Sequence, residues 1–286
     1  MHHTPNASVD FHLHSTASDG ELTPARVVAL AAAAGVRQLA LTDHDTMAGL
    51  AEARLASEAA GLELVDGVEI SSLWASQDIH VVGLGVRSRD ARLLERLASQ
   101  AERRRQRAAA IGARLQKLGL EDPLQQAAEL APRGLPARPH FAQVLVAQGR
   151  CRDRKQAFQQ YLAQGKPAYV RTAWPELETA VRWIREAGGV AVLAHPGRYR
   201  LTRKKLRRLV QGFSAAGGQA LEVSVSTHSP DMVKQLADLT VEFALYASQG
   251  SDYHGPSMRW VQVGRMPRLP SVCRPVTDLL AGRSRG

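Results

Sequence analysis

The sequence predicts an α/β protein with a parallel sheet, open or closed into a barrel, and one helical insertion. Short apolar runs alternate with helical patterns through about the first hundred residues. The same alternation returns near residue 173 and continues to residue 250. Between these two parts the chain is charged and helical in pattern, with almost no strand signal. Repeated strand and helix units of this kind favour helices packed outside a sheet.

The first part of the chain predicts β-α-β order. Thr23 suits a helix cap and Pro24 suits the first helical position, so the first helix has a clear start. Candidate strands are short apolar runs with β-branched residues and turn signals beside them. The predicted elements are a strand at 9–13, a helix at 24–34, a strand at 38–42, a helix at 48–60 and strands at 62–65 and 78–86.

The later part of the chain repeats this rhythm. Its predicted elements are a helix at 176–187, a strand at 189–194, a helix at 204–215 and strands at 220–225 and 245–250. The helical stretch between the two parts has several prolines at its centre. We therefore predict the first part of a barrel at 1–96, a helical insertion at 97–172 and the second part of the barrel at 173–286.

Composition limits the class of protein. The chain has 286 residues, 44% of them hydrophobic, which is enough to bury the core of one large domain. No apolar run reaches the roughly 18 residues that span a bilayer, and no secretory signal is visible, so we expect a cytoplasmic protein without a membrane partner. The two cysteines, Cys151 and Cys273, do not suggest a disulfide framework or a thiolate zinc site. A net charge of +10 favours anionic partners.

Histidines and carboxylates cluster where predicted strands end. A lone histidine beside a strand is usually structural, and an isolated His-x-His occurs by chance. Six such clusters in one chain instead predict a catalytic metal site, because imidazole and carboxylate suit manganese, zinc or iron. The clusters are His12-Leu13-His14 followed by Asp19, Thr42-Asp43-His44-Asp45, Gly67-Val68-Glu69-Ile70-Ser71, Asp78-Ile79-His80, His195-Pro196-Gly197-Arg198, and Gly250-Ser251-Asp252-Tyr253-His254.

Strand geometry explains the spacing of the first cluster. Residues two apart on a strand point to the same face, so His12 and His14 can reach one metal. Asp252 and His254 have the same two-residue spacing. The ends of barrel strands are also where α/β barrels place their active-site groups.

These motifs resemble the PHP (polymerase and histidinol phosphatase) family of metal-dependent phosphoesterases. The resemblance rests on F-H-L-H-S, L-T-D-H-D, G-V-E-I-S, D-I-H-V-V-G, A-H-P-G-R and G-S-D-Y-H, which span the chain from Val9 to His254. It implies a distorted (β/α)7 barrel with a small helical insertion domain. It also implies two or three divalent metals, manganese being expected, with zinc, iron or magnesium as alternatives.

The resemblance implies three groups of metal ligands, with Glu69 shared between two of them. It further implies that Glu69, Asp252 and His195 act directly in catalysis. The expected reaction is attack of metal-activated water on phosphorus. The implied ligand groups are His12, His14, Glu69 and Asp252 for the first metal, Glu69, His80 and His195 for the second, and Asp19, His44 and His254 for the third.

The insertion resembles one subgroup of the family. Its members are phosphatases of 3′,5′-bisphosphonucleosides and 5′-to-3′ exoribonucleases of the RNase AM type, which act on short RNA. The resemblance rests on Arg138-Pro139-His140-Phe141 and on Gly165-Lys166-Pro167-Ala168-Tyr169. We expect Arg138, His140, Arg198 and Lys166 to bind the substrate. For the two arginines, the reason is that guanidinium donors match phosphate oxygens.

Three basic stretches leave an alternative open. They lie at 103–107, 150–155 and 198–208, and each fits either a solvated face or an RNA track leading to the metals. Aromatic residues are only 5% of the chain, which favours short substrates over long ones. No protein partner is indicated.

Two other functions also remain open. One is phosphatase activity on a small phosphomonoester that is not a nucleotide, as in the histidinol phosphatase branch. The other is a non-catalytic PHP domain that binds nucleic acid. The basic insertion weighs against the first, and the complete ligand set weighs against the second.

Overall fold

Seven strands form one sheet in chain order in the computed structural model, which describes residues 8–283. Two backbone hydrogen bonds join its first strand to the segment after the last, from His14 N to Tyr253 O (3.0 Å) and from Asp252 N to His12 O (2.9 Å). The sheet is therefore a nearly closed barrel, and the predicted fold class is confirmed. The strands are β1 (Val9–Leu13), β2 (Gln38–Leu41), β3 (Glu63–Trp74), β4 (Gln77–Leu84), β5 (Val190–Leu193), β6 (Ala220–Val225) and β7 (Tyr246–Gly250).

Helices surround this sheet and also form the region between β4 and β5. The helix α6 continues into a π-helical turn at Phe158–Leu162, and a 3₁₀ turn at Pro196–Arg198 follows β5. No helix in the described residues is long and apolar enough to span a membrane. The helices are α1 (Pro24–Ala33), α2 (Leu50–Ala60), α3 (Ala91–Lys117), α4 (Pro123–Glu129), α5 (Arg138–Ala147), α6 (Arg154–Ala157), α7 (Leu177–Glu186), α8 (Arg203–Ala215), α9 (Pro230–Glu242) and α10 (Val276–Arg283).

The sheet is not parallel throughout, contrary to the sequence prediction. Strand β4 runs antiparallel to both β3 and β5. A two-residue turn at Ala75 and Ser76, both with positive φ, joins β3 directly to β4. Such a turn leaves no room for the helical crossover that a parallel pair requires. The reversed direction of β4 is therefore where this barrel departs from an all-parallel (β/α) barrel.

Strand β3 is longer than the predicted strand at 62–65. It extends to Trp74, paired with β4, and its second half buries polar side chains, among them Glu69, Ser71 and Ser72. Those polar residues interrupt the apolar pattern that marks a strand in the sequence. The helices α9 and α10 were also absent from the prediction, although Ser229 caps α9 by accepting a hydrogen bond from Met232 N.

The helical region between β4 and α7 packs around a hydrophobic cluster of its own. Ile111 and Leu115 of α3 pack there against Phe141 and Leu145 of α5. The start of α3 belongs to the barrel instead, since Leu93 packs in the barrel core. Helix α3 thus crosses the predicted boundary at residue 97, and the division of the chain at 97 and 172 stays a prediction.

Candidate metal centre

One end of the barrel collects the polar groups that the sequence motifs predict. His12 and His14 lie on and just after β1, and Asp252 and His254 follow β7. Because β4 runs in the opposite direction, its first half lies at this same end and brings His80 beside Ser71 of β3. The reversed strand therefore contributes to the site from its beginning rather than from its end.

Glu69 lies at the centre of this cluster and is fully buried. Both of its carboxylate oxygens face imidazole nitrogens, and no other acidic side chain of the described chain has as many histidines around it in the recorded ion pairs. The distances are 3.1 Å from Oε2 to His12 Nε2, 3.2 Å to His14 Nε2 and 3.0 Å to His44 Nδ1, and from Oε1 2.9 Å to His80 Nδ1 and 3.0 Å to His195 Nε2.

Asp252 reaches the cluster from the segment after β7, next to β1. Its Oδ1 lies 3.2 Å from His14 Nε2 and 3.5 Å from His12 Nε2. Its backbone has a positive φ of 54°, a conformation that a non-glycine residue rarely adopts. Its other oxygen, Oδ2, pairs with Arg198. Asp252 therefore lies between two predicted metal ligands and one predicted phosphate-binding residue.

Asp19 completes the cluster from the loop after β1. Its Oδ1 lies 3.4 Å from His254 Nε2 and 3.8 Å from His44 Nε2. Asp43 holds this loop in place: it accepts hydrogen bonds from Ser15 N (2.7 Å), Ser15 Oγ (2.6 Å) and Ser18 Oγ (2.6 Å). The loop is thus anchored to the segment that carries His44.

The structure brings every predicted metal-ligating residue to this one site. Potential ligand atoms lie within 4.8 Å of one another in three groups, the first of which is the group predicted for the first metal. The third predicted group gains His14, and His44 joins Glu69 and His80 in place of His195. The groups are His12, His14, Glu69 and Asp252; His14, Asp19, His44 and His254; and His44, Glu69 and His80.

Orphaned polar atoms test whether these residues suit metals. Several buried nitrogens and oxygens of the cluster have no hydrogen-bond partner among the described residues. Each such atom costs about 1–3 kcal/mol unless something coordinates it. Imidazole nitrogens and carboxylate oxygens are the donors that divalent transition metals take. The cluster therefore fits several divalent metals. The orphaned atoms include His12 Nε2, His14 Nε2, Asp19 Oδ1, His44 Nδ1, Glu69 Oε2 and Asp252 Oδ1.

The surroundings set the charge states of the cluster. Burial opposes ionisation of Glu69, but the neighbouring imidazoles of His44 and His12 hold its pKa well below the usual value. Burial lowers the pKa of His44 to about 4, so this imidazole is neutral near pH 7. Burial also disfavours charge on His14, yet the neighbouring carboxylates of Asp252 and Glu69 raise its pKa to about 9. A metal must displace that proton, which couples metal binding to pH.

Glu222 of β6 supports the cluster and was missed in the sequence. Its Oε1 lies 2.8 Å from His12 Nδ1, and its Oε2 accepts a hydrogen bond from His195 N at 2.6 Å. A proton on Nδ1 of His12 leaves Nε2 free to face Glu69, and such outer partners fix the orientation of metal-binding imidazoles. The only sequence signal is a single carboxylate in an otherwise apolar strand.

The predicted substrate-binding residues lie in different surroundings. Arg198 is at the cluster, where it pairs with Asp252 and donates from Nε to Thr227 Oγ1 at 3.2 Å. Arg138 lies at the start of α5 and lines a cavity with Asp19 and His44. Both arginines are therefore close to the metal ligands.

His140 and Lys166 are placed less favourably for binding substrate. His140 is buried, and its Nδ1 accepts a hydrogen bond from Ala137 N at 3.0 Å, which caps α5. Lys166 is exposed and lines neither of the cavities at the cluster. A substrate role for these two residues stays a prediction.

Two cavities border the cluster and share Asp19, His44 and Arg104 in their walls. The larger, about 470 Å³, has an apolar wall that includes Leu97 and Ala101 of α3. The smaller is about 100 Å³. Arg104 belongs to a stretch that the sequence left as either a solvated face or an RNA track, but it is mostly buried and its NH2 lies 2.7 Å from Asp45 Oδ2.

A nearly closed α/β barrel with a buried cluster of histidines and carboxylates at its end defines a class of barrel enzymes that use several divalent metals. Comparisons with known proteins narrow that class, because the family model of the PHP domain matches residues 10–187. The chain belongs to the PHP family, as its motifs predicted, and is a metal-dependent phosphoester hydrolase.

Known relatives match almost the whole chain. A 3′,5′-nucleoside bisphosphate phosphatase of Chromobacterium violaceum is 42% identical over 278 residues, 97% of this chain and 98% of that protein. The 5′-3′ exoribonuclease Rnm of Escherichia coli strain K12 is 45% identical over 272 residues, 94% of this chain and 92% of that protein. A solved structure of an amidohydrolase from Chromobacterium violaceum, with bound sulfate and no metal, has a TM-score of 0.92 and 43% identity, and the match covers 97% of both chains.

Proposed function

We propose that this enzyme hydrolyses phosphate esters of nucleotides, namely 3′,5′-bisphosphonucleosides to nucleoside 5′-monophosphates, and short 5′-phosphorylated RNA from its 5′ end. The observation that carries the proposal is the single buried carboxylate of Glu69 surrounded by five histidines from four motifs. The relatives named a bisphosphate phosphatase and an exoribonuclease support the substrate class. Sulfate bound in the solved neighbour is a tetrahedral anion like phosphate.

The ligand sets that the motifs imply are part of this proposal. His12, His14, Glu69 and Asp252 would hold one metal, and their atoms lie within 4.8 Å of one another. Glu69, His80 and His195 would hold a second, and Asp19, His44 and His254 a third. Manganese is the proposed ion, since mixed imidazole and carboxylate donors suit it. Bound metals would supply Lewis acidity and lower the pKa of water.

The protein's own groups would bind and orient the phosphate. Arg198 presents a partly exposed guanidinium beside Asp252, and its Nε is fixed by Thr227. Planar guanidinium donors match two phosphate oxygens at once. Glu222 would keep Nε2 of His12 turned towards the cluster, since it engages the opposite ring nitrogen. The proposed catalytic residues are Glu69, Asp252 and His195.

RNA and mononucleotide substrates would use the same centre. The larger cavity, with its apolar wall beside Asp19 and His44, has room for a nucleoside. The exoribonuclease activity rests on the relative of that name. The cytoplasmic location expected from the sequence stays a prediction.

The decisive experiment compares three substrates. Phosphate or nucleotide release is measured from adenosine 3′,5′-bisphosphate, a 5′-phosphorylated RNA trimer and histidinol phosphate, each with manganese and with a chelator. We expect metal-dependent turnover of the first two. Turnover of histidinol phosphate alone would contradict the nucleotide substrate class. No turnover of any of the three would contradict the proposed activity.

A further inference from the structure

Arg107 of α3 is a buried cation that the proposed reaction does not use. Only 11% of its side chain is exposed, and its Nε and NH2 have no hydrogen-bond partner among the described residues. The acidic group recorded beside it is Asp78, whose Oδ2 lies 3.8 Å from NH2. Donors of a buried guanidinium are usually satisfied, so two orphaned donors in one side chain indicate a ligand.

Two further arginines face the same small cavity. Arg104 and Arg138 line it together with Arg107, and burial with the charges of Arg138 and Arg104 lowers the pKa of Arg107 to about 9. Arg104 already pairs with Asp45, whereas no ion pair is recorded for Arg138 among residues 8–283. The cavity therefore holds more positive than negative charge.

Trp174 fixes the direction of two of these arginines. Its ring lies under Arg104 at 5.3 Å and under Arg107 at 5.6 Å, measured from the guanidinium carbon to the ring centroid. Stacking on an aromatic face leaves the in-plane donors of a guanidinium free to bind an anion. Because the indole is itself buried, Arg107 is held in place before any ligand arrives.

The cavity lies against the metal cluster. Its walls include Asp19, His44 and His80, which are proposed metal ligands. An anion held by Arg107 and Arg138 would therefore lie beside these proposed metal ligands and next to the reacting phosphate. Its volume of about 100 Å³ suits a small group rather than a nucleoside.

We propose that the cavity formed by Arg104, Arg107 and Arg138 binds the second phosphate of the substrate, the one that is not hydrolysed. This inference rests on the proposed function and deepens it. The reacting ester lies at the metals, the other phosphate lies between Arg107 and Arg138, and Arg104 contacts both the cavity and the cluster side. The cavity thereby selects substrates with two phosphate groups over those with one.

The test compares two substrates that differ only in that phosphate. The ratio of kcat/KM for adenosine 3′,5′-bisphosphate to kcat/KM for adenosine 3′-monophosphate is measured for the wild type and for Arg107→Gln. Hydrogen bonds to a charged group are worth about 1.5–3 kcal/mol, so we expect the ratio to fall about tenfold to a hundredfold, mainly through KM for the bisphosphate. An unchanged ratio would overturn the proposal.

Arg92→Gln is the matched control. Arg92 is exposed on the same helix, and its substitution removes the same charge without touching the cavity. If it lowered the ratio as much as Arg107→Gln, general electrostatics rather than the cavity would account for the effect. Thermal melting checks that each variant is folded, and Arg107→Lys serves if Arg107→Gln unfolds, because it keeps the charge and loses the planar fork.

A binding measurement separates this proposal from the proposed function. Calorimetry of adenosine 5′-monophosphate with the wild type, Arg107→Gln and Arg92→Gln does not require turnover. We expect weaker binding only in Arg107→Gln. An inactive wild type that showed this pattern would contradict the proposed reaction and leave the anion site standing. Equal binding by all three proteins would overturn the anion site even if the enzyme were active.

Discussion

The metal cluster and the smaller cavity, lined by Arg104, Arg107 and Arg138, border one another, yet they are built in opposite ways. In the cluster, carboxylates such as Glu69 are surrounded by imidazoles, so each negative group has neighbours that can carry the opposite charge or bind a metal with it. In the cavity, three arginines share the wall with the carboxylate of Asp19, and the charges of Arg107 and Arg138 repel each other. The cluster rests mainly on barrel strands and the loops after them, while the cavity arginines come from helices α3 and α5. The barrel thus provides the reactive centre, and the helical region between β4 and α7 provides excess positive charge beside it.

The largest effect is expected from a substitution in the metal cluster. Glu69→Gln keeps the shape of the side chain but removes the charge shared by the surrounding histidines. Losing several kcal/mol of transition-state stabilisation should lower kcat about a thousandfold, and bound manganese should fall as well. Steady-state kinetics and metal analysis check both. Glu63→Gln, an exposed position on the same strand, is the control and should change neither.

A smaller effect is expected from Glu222, which contacts His12 on the side away from Glu69. Glu222→Gln should weaken manganese affinity about tenfold to a hundredfold, because His12 loses the partner that fixes its ring. Metal titration with activity as the readout measures the affinity, and saturating manganese should restore part of the activity. Failure of high manganese to restore any activity would show that Glu222 does more than orient His12.

A substitution in the cavity should change the kinetics less than the two substitutions in the cluster. Arg138→Ala should raise KM for adenosine 3′,5′-bisphosphate about tenfold, since one charged hydrogen-bond donor group is removed while the metals stay in place. Initial-rate kinetics give KM and kcat separately, with Arg92→Ala as the control. If KM and kcat were both unchanged, the phosphate-binding role of Arg138 would be wrong.

The smallest effect concerns those residues of the basic stretches that lie outside the cluster and the cavity. Several of their arginines are already paired at the surface, including Arg154 with Glu21 and Arg207 with Glu242. We therefore expect kcat/KM for the RNA trimer to fall only about threefold to sevenfold between roughly 50 and 200 mM salt, as one or two phosphate contacts would produce. A salt-independent value would eliminate an RNA track.

Much of the cluster could be predicted because its ligands follow local rules. His12 and His14 lie two apart on a strand and must share a face. Asp252 and His254 could be placed by their motif and by the strand before it, although only barrel closure sets their distance from β1. Secondary structure was predicted best where apolar periodicity is unbroken, as in β6, whose bounds match the prediction.

What could not be predicted depends on packing between distant segments. The second half of β3 was missed because its buried polar residues resemble a loop in the sequence. Glu222 gives no periodic signal, and its role depends on His12 and His195 arriving from other strands. Arg107 lies in a run of arginines typical of a solvated helix face. Only the docking of α3 against Trp174 and α5 buries it.

The tight hairpin of β3 and β4 has a consequence for how the site assembles during folding. Glu69 and His80 are 11 positions apart and are brought together by a local turn, whereas His12 and Glu222 are 210 positions apart. Local contacts form early because little chain entropy is lost in closing a short loop. The part of the site formed by Glu69 and His80 can thus assemble before the rest of the barrel has folded. The contacts between distant segments form only when the barrel closes. A chain in which the barrel fails to close should therefore keep the hairpin but have no enzymatic activity.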